Sequence, residues 1–188
     1  MASRLLLRLA EQGGRIFDRT VIDTIEPAGE RVTLRTEQGF QVDAGHVVMA
    51  AGYASQKWLK QSVAKNRSSY AFITDPIDPS DLGLLASTMV WESARPYLYM
   101  RTTGDGRLLV GGDDDDMDIP ERRHRRVEGK SRGLCKKVKK LFPELPVKPA
   151  FVWGGTFAET EDGLPFFGAH PQYGSRVLFA MAYGGNGI

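Results

Sequence analysis

The sequence predicts an α/β protein of mixed type, in which a mainly antiparallel sheet accompanies part of a second, parallel layer. Stretches such as "RVTLRT" and "PYLYMRTT" alternate between apolar and polar residues, which is typical of antiparallel strands. The apolar run "VVMAA" does not alternate, which is typical of a strand in a parallel sheet. Between residues 121 and 148, apolar residues recur instead at helical spacing.

The composition argues against several classes of protein. The 188 residues include 25 Lys and Arg against 23 Asp and Glu, and this net charge of +2 does not suggest a whole-chain nucleic-acid binder. The single cysteine, Cys135, excludes an internal disulfide framework. No apolar run approaches the roughly 20 residues of a membrane span, and Arg8 interrupts the first one. We therefore expect a cytoplasmic protein, and we expect no metal site because the three histidines are scattered.

The first forty residues predict a helix followed by a small antiparallel meander. Leu5, Leu6 and Leu9 share one helical face, and Gly13 begins a glycine pair that ends the helix. The stretch from Val21 to Val42 is rich in β-formers and contains the turn "EQG", so it predicts short antiparallel strands.

The run from Val47 to Ala51 predicts a strand that is buried on both faces. Ala50, Ala51 and Gly52 lack bulk at its end, so another backbone or a flat ligand can approach closely there. A plain core strand that ends in a glycine turn is the alternative interpretation.

Residues 70–112 predict further antiparallel strands. The segment "TTGDGR" predicts a hairpin turn, with Asp105 and Gly106 in the positive-φ region. Tyr97, Tyr99 and Arg101 alternate with aliphatic residues and therefore share one face of their strand. Such a face either forms the floor of a ligand site or is merely solvated.

Two charged segments follow. The run "DDDDMD", residues 113–118, predicts a solvated acidic loop. Residues 121–148 carry eleven Lys and Arg against three Glu and predict an amphipathic helix, which Gly129 and Gly133 weaken or break. The apolar stripe of this helix comprises Val127, Leu134, Val138 and Leu141. Its basic outer face is expected to be solvated, with phosphate binding as the alternative.

Four stretches together resemble the D-amino-acid-oxidase-like superfamily of FAD-dependent oxidoreductases. They are "HVVMAAGYAS", "RPYLYMRTTGDGRLLVGG", "WGGTFAETEDGLPFFG" and "YGGNGI". The order and spacing of these stretches match, and the nearest members are those similar to γ-glutamylputrescine oxidase and glycine oxidase. The resemblance implies a Rossmann-like FAD-binding layer, residues 1–60 and 149–188, and a substrate domain, residues 61–148.

The resemblance also implies a cofactor site. The turn after the last strand would lie near the flavin, and it comprises Gly184, Gly185, Asn186, Gly187 and Ile188. Ala50, Ala51 and Gly52 would pass near the ribose and pyrophosphate, and Val21 would offer backbone groups to the adenine. A cysteine near the Trp-x-Gly turn tethers the flavin in some relatives. This chain has Gly155 there, so we expect noncovalent FAD.

The implied reaction is oxidation of a C–N bond in an amine or amino acid, with hydride passing to flavin N5 and the imine then hydrolysed. Relatives that act on small amino acids place an arginine, which clamps the carboxylate, where this chain has Phe157. Either the substrate lacks an α-carboxylate or another residue such as Arg101 holds it. Tyr97, Tyr99 and Phe157 are candidates for the cavity wall, and we assign no catalytic residue. Asp162 is expected to order its turn through backbone N–H groups.

Two other functions remain open at this stage. Some members of the superfamily modify the wobble base of tRNA, and the basic segment would then meet phosphates. Alternatively, the chain is a non-catalytic interaction domain. Exposed sheet edges would favour self-association in either case.

No GxGxxG motif occurs in the chain, so the resemblance indicates an internal fragment of a larger parent flavoenzyme. The missing motif would supply three or four charge-assisted hydrogen bonds, which together contribute about 5–10 kcal/mol of binding free energy. We therefore expect the 188 residues alone to hold no stoichiometric FAD and to be inactive. Micromolar or tighter binding in a titration with free FAD would contradict this expectation.

Overall fold

The computed structural model describes residues 2–93 and 96–181, and the chain divides into two compact units. The first unit comprises Met1–Ala50 and Phe167–Ala180, and the second comprises Ala51–Phe166 and Met181–Ile188. The sequence placed these boundaries after residues 60 and 148. The difference arises because the strand that starts at Pro149 pairs along its length with Lys65–Thr74 of the second unit.

The first unit begins with helix α1 (Ala2–Glu11), followed by the predicted antiparallel meander. Its strands are β1 (Ile22–Ala28), β2 (Arg31–Thr36) and β3 (Gln41–Ala44), in the order β1-β2-β3. Ile25 and Val32 are buried within this unit, so the alternation read from the sequence is confirmed.

A second, three-stranded sheet has the order β10-β11-β4. Its strands are β4 (Val47–Met49), β10 (Phe166–Ala169) and β11 (Val177–Met181). Strands β4 and β11 run parallel, with Val47 opposite Val177, as the apolar run of β4 predicted. The prediction that both faces of β4 are buried is wrong: β4 lies at the sheet edge, and Val48 is 61% exposed.

The second unit contains a five-stranded antiparallel sheet of order β6-β7-β8-β5-β9. Its strands are β5 (Lys65–Pro76), β6 (Val90–Trp91), β7 (Leu98–Thr102), β8 (Arg107–Asp115) and β9 (Pro149–Glu159). Its helices are the 3₁₀ segments Gly52–Trp58 and Gly83–Ala86, the short α2 (Pro79–Leu82) and α3 (Pro120–Leu141). The β7–β8 hairpin is the predicted one, but only Gly106 takes a positive φ, and Asp105 does not.

Helix α3 packs on one face of this sheet and closes the core. Val127, Leu134 and Val138 are buried against sheet residues such as Phe72 and Met100. Of the two outcomes expected at Gly129 and Gly133, weakening or a break, the break does not occur, since the helix runs unbroken for 22 residues. Each glycine costs the helix about 1 kcal/mol, which is less than the stabilisation from burying the apolar stripe. Leu141 is 48% exposed and does not belong to that stripe.

The acidic run is not a solvated loop, which corrects the prediction for residues 113–118. Asp113, Asp114 and Asp115 end strand β8, where α3 lies against the sheet. Lys130 contacts Asp115 at 2.9 Å, and Arg126 contacts it at 2.6 Å. The acidic and basic segments therefore pair within one unit, and this contact between distant segments could not be read from local composition.

Among residues 2–93 and 96–181, no helix combines the length and the apolarity that a bilayer crossing requires.

Candidate functional site

A small pocket with aromatic walls, here called the aromatic pocket, lies on the five-stranded sheet of the second unit. Its volume is about 180 Å³. Its lining comprises Ser69, Tyr70, Ala71, Tyr97, Tyr99, Trp153, Gly155, Thr156 and Phe157. An apolar cavity of about 150 Å³ holds a molecule the size of benzene, so this volume suits a small ligand.

Strand register explains why most of these residues meet. Side chains of opposite residues in an antiparallel pair share a face. Ser69 lies opposite Gly155, and Ala71 lies opposite both Trp153 and Gly111. Gly111 in turn lies opposite Tyr99 on β7. The face that carries this group is opposite the one on which α3 packs.

The polar groups of the aromatic pocket are mainly hydroxyls. Burial raises the pKa of the Tyr99 phenol, and a hydrogen bond with the Ser69 hydroxyl opposes that shift. The Tyr97 and Tyr99 rings lie 6.4 Å apart at a tilt of 43°. Among the described residues that line the pocket, none is Lys, Arg, Asp or Glu.

The structure brings together three of the four substrate-site candidates. Tyr97, Tyr99 and Phe157 all line the aromatic pocket, whereas Arg101 is exposed and absent from its lining. Ser69 was not predicted from the sequence, because its small side chain in a β-rich segment gives no signal until the strand register is known. From the sequence, Gly155 was considered only as the position where some relatives attach the flavin, and not as a residue of the pocket.

Hydrogen bonds and an ion pair on the opposite face of the sheet fix the pocket wall that β9 forms. Thr156 Oγ1 donates to Asp118 Oδ1 at 2.7 Å, and Arg123 Nη1 donates to Thr156 Oγ1 at the same distance. Arg123 also pairs with Asp118 at 2.5 Å. This group ties β9 to the start of α3 directly beneath Gly155 and Phe157.

A larger cleft of about 780 Å³ borders the start of β5 and the end of β9. Charged side chains dominate it, including Lys65, Arg67, Glu159 and Asp162. Arg67 Nε lies 2.7 Å from Glu159 Oε2, and Arg67 also pairs with Asp116, so its charge is already compensated. We therefore favour the smaller aromatic pocket as the ligand site. In the turn beside the cleft, Asp162 Oδ1 accepts from the Leu164 amide at 3.0 Å, as predicted.

Two of the predicted cofactor residues, Ala50 and Val21, belong to the first unit. Ligands of parallel sheets bind at the carboxyl ends of the strands, and β4 and β11 end at the same edge of their sheet. Ala50, which follows β4, is exposed and small. Val21 lies just before β1, and its carbonyl accepts from the Glu37 amide at 3.0 Å.

The second unit begins with the other predicted strand-end residues. Ala51 is exposed, and Gly52 has φ +56° with no atom within 4 Å of a would-be Cβ. An open glycine in this conformation fits the close approach of a cofactor. The remaining predicted residues, Gly184 to Ile188, lie outside the described part of the chain.

Comparison with known families decides the identity. Residues 1–188 match the family described as DAO, FAD dependent oxidoreductase. The chain belongs to the DAO family of FAD-dependent oxidoreductases. FAD is the cofactor of the DAO family, and the strand-end residues described above fit it. The resemblance read from the four sequence stretches is confirmed.

Curated DAO-family relatives include two glycine oxidases. The enzyme of Bacillus subtilis (strain 168) is 31% identical over 185 residues, which cover 94% of this chain and 46% of the relative. That of Bacillus licheniformis is 27% identical over 177 residues, with the same coverage. The chain thus spans about half the length of the curated relatives it matches.

Solved structures confirm the mixed α/β fold. Glycine oxidase from Geobacillus kaustophilus superposes with a TM-score of 0.74 at 23% identity, covering 99% of this chain and 48% of that one. Iminodiacetate oxidase from Chelativorans sp. BNC1 superposes with a TM-score of 0.66 at 16% identity, covering 96% and 49%. At these identities the likeness concerns the fold alone.

Proposed function

We propose that the protein takes part in FAD-dependent oxidation of a C–N bond in a small amine, and that the aromatic pocket holds this substrate. The observation that carries the proposal is a pocket of about 180 Å³ with aromatic walls and hydroxyl groups on the five-stranded sheet of the second unit. Two relatives are glycine oxidases, which act on an amine of this size class. FAD, when bound, supplies the hydride-accepting chemistry.

The residues of this chain bind and orient the amine. Phe157, Trp153 and the two tyrosines provide the walls against which the apolar part of the substrate packs. The Ser69 and Tyr99 hydroxyls provide lone pairs and one O–H for the nitrogen. Because no Lys or Arg lines the described pocket, we propose a substrate without an α-carboxylate. Arg101 is too exposed to serve as the clamp considered in the sequence analysis.

The nucleic-acid alternative is not carried into this proposal. Most Lys and Arg residues of α3 are exposed, as expected of a solvated face, and four pair with acidic residues of the same unit. These four are Arg123, Arg126, Lys130 and Lys137.

Phe157→Arg tests the proposed substrate class in the parent flavoprotein. A bidentate Arg–carboxylate pair contributes about 1.5–3 kcal/mol, so kcat/KM for glycine should rise about 10–100-fold. The kcat/KM for an amine of similar size without a carboxylate, such as ethylamine, should fall. Anaerobic flavin reduction, followed by absorbance, measures both values.

Phe157→Leu is the matched control, since it shortens the wall without adding charge and should not improve glycine turnover. A wild-type enzyme that already prefers glycine, with no gain in Phe157→Arg, would contradict the proposed substrate class.

A further inference from the structure

The Tyr99 ring occupies an unusual place for a strand side chain. Side chains of paired strands normally stand side by side, roughly perpendicular to the sheet. The Tyr99 ring instead lies over its cross-strand partner Gly111. A Cβ at position 111 would sit 2.6 Å from Tyr99 Cε2 and closer still to Cζ and the hydroxyl. Gly111 is buried although it carries no side chain of its own.

This placement lets the phenol reach a strand that is not its neighbour. Tyr99 is on β7 and Ser69 is on β5, with β8 between them, and both residues line the aromatic pocket. Two strand spacings amount to about 9–10 Å. The outer end of the Tyr99 ring lies over Gly111 on β8, and Ala71, which is opposite Gly111 on β5, carries only a methyl group.

We propose that Gly111 is a positioning residue: because it has no side chain, the Tyr99 ring crosses β8, and the Tyr99 and Ser69 hydroxyls together form the polar end of the aromatic pocket. The role of this hydroxyl pair in holding the amine nitrogen rests on the proposed function. The crossing itself rests only on the geometry of the sheet. A side chain at position 111 displaces the ring rather than the strands, because the ring is the movable end of the contact.

The first test follows the Tyr99 phenol in the 188-residue chain itself. Tyrosines labelled with ¹³C at Cζ are titrated by NMR, and Tyr99→Phe assigns the Tyr99 signal among the six tyrosines. Burial raises the pKa of Tyr99 in the wild type. In Gly111→Ala we expect its midpoint to fall towards the ordinary value of about 10 as the ring moves into solvent. An unchanged Tyr99 midpoint in folded Gly111→Ala overturns the proposal.

A double-mutant cycle keeps the test decisive if Gly111→Ala folds poorly. Gly111→Ala alone should lower the melting temperature by about 3–10 °C, as overpacking does in a domain of this size. In the Tyr99→Ala background, Gly111→Ala should lower the melting temperature by less than half as much, because no ring remains to be displaced. Equal shifts in both backgrounds overturn the proposal.

A kinetic measurement then tests the function of the hydroxyl pair in the parent flavoprotein. Gly111→Ala and Ser69→Ala should each raise KM for the amine about 5–10-fold, with a smaller change in kcat. A displaced phenol with an unchanged KM overturns the amine-binding role. If the wild-type parent oxidises no amine at all, the proposed function fails, while the titration still decides whether Gly111 positions Tyr99.

Discussion

Gly155→Leu is expected to reduce kcat/KM for the amine about 10–200-fold in the parent flavoprotein, by filling the aromatic pocket. Gly155 lines the pocket, and no atom lies within 4 Å of a would-be Cβ at this position. A side chain can therefore be added here without a clash at Cβ, and a leucine on this face of β9 is expected to take up much of the cavity of about 180 Å³. Losses of this size are typical when a pocket is mismatched by a few carbon atoms. Steady-state kinetics with the preferred amine measures the effect.

The neighbouring glycine provides a matched control on the other face of the same strand. A Cβ at Gly154 would lie 3.0 Å from Arg123 Cγ and 3.2 Å from Tyr70 Cδ1. Gly154→Ala should therefore lower stability by about 1–3 kcal/mol without narrowing the pocket. Gly155→Leu should show the reverse pattern, with activity lost and thermal stability largely kept. Full activity in Gly155→Leu would exclude the aromatic pocket as the substrate site.

Asp115→Ala is expected to lower the free energy of unfolding by about 2–4 kcal/mol. The Asp115 side chain is 12% exposed and contacts Lys130, whose side chain is 16% exposed. It also accepts a hydrogen bond of 2.8 Å from the buried Tyr70 phenol. Burial and this contact with Asp115 raise the pKa of Tyr70 to about 12. Removing the carboxylate leaves a buried hydroxyl without that partner, and chemical denaturation followed by circular dichroism measures the cost.

Asp116→Ala is the control within the same acidic run, because Asp116 is 66% exposed and its ion pairs are surface pairs. Such pairs contribute about 0–1 kcal/mol each, so its loss should change stability little. Equal destabilisation by both substitutions would show that burial of Asp115 is not the cause.

The same network predicts a defined pH dependence. Burial alone would raise the pKa of Asp115, but hydrogen bonds from Lys130 and Tyr70 and the charges of Lys130 and Arg126 lower it below its ordinary value. Its contribution is therefore present in full above the unfolded pKa of about 3.9 and is lost as the pH falls through the lowered pKa of the folded state. The stability gap between wild type and Asp115→Ala should be constant from about pH 5 to 8 and narrow below about pH 4. A gap that persists to pH 2 would contradict this.

Local sequence patterns predicted the secondary structure correctly where the residues of an element are sufficient to specify it. The meander between Val21 and Val42, the β7–β8 hairpin and the helix after residue 120 all appear in the structure. The errors occur where a distant segment determines the outcome. Gly129 and Gly133 did not break α3, because packing of Val127 and Leu134 against the sheet outweighs their low helix propensity.

The residues of the candidate site also divide into those that local sequence predicts and those that only the tertiary structure reveals. Tyr97, Tyr99 and Phe157 could be named from alternation and family resemblance, since each lies in a motif that stands out locally. Ser69 could not be named, because its place in the pocket depends on how β5 pairs with β8 and β9. Arg101 shares the face of Tyr99 but lies further along β7, beyond the pocket. Strand periodicity predicts the face on which a residue lies, but it does not predict how far along the strand the pocket extends.

The sequence by itself determined the family, the class of fold and the strand carrying Tyr99, because these depend on residue type, order and spacing along the chain. Only the tertiary structure decided which charges are paired and which small residues shape the aromatic pocket. The acidic run meets Lys130 and Arg126, and Gly111 accommodates the ring of Tyr99, through contacts between segments that are separate in sequence. Coulombic and steric energies depend on distance in space, so neither pairing can be derived from composition.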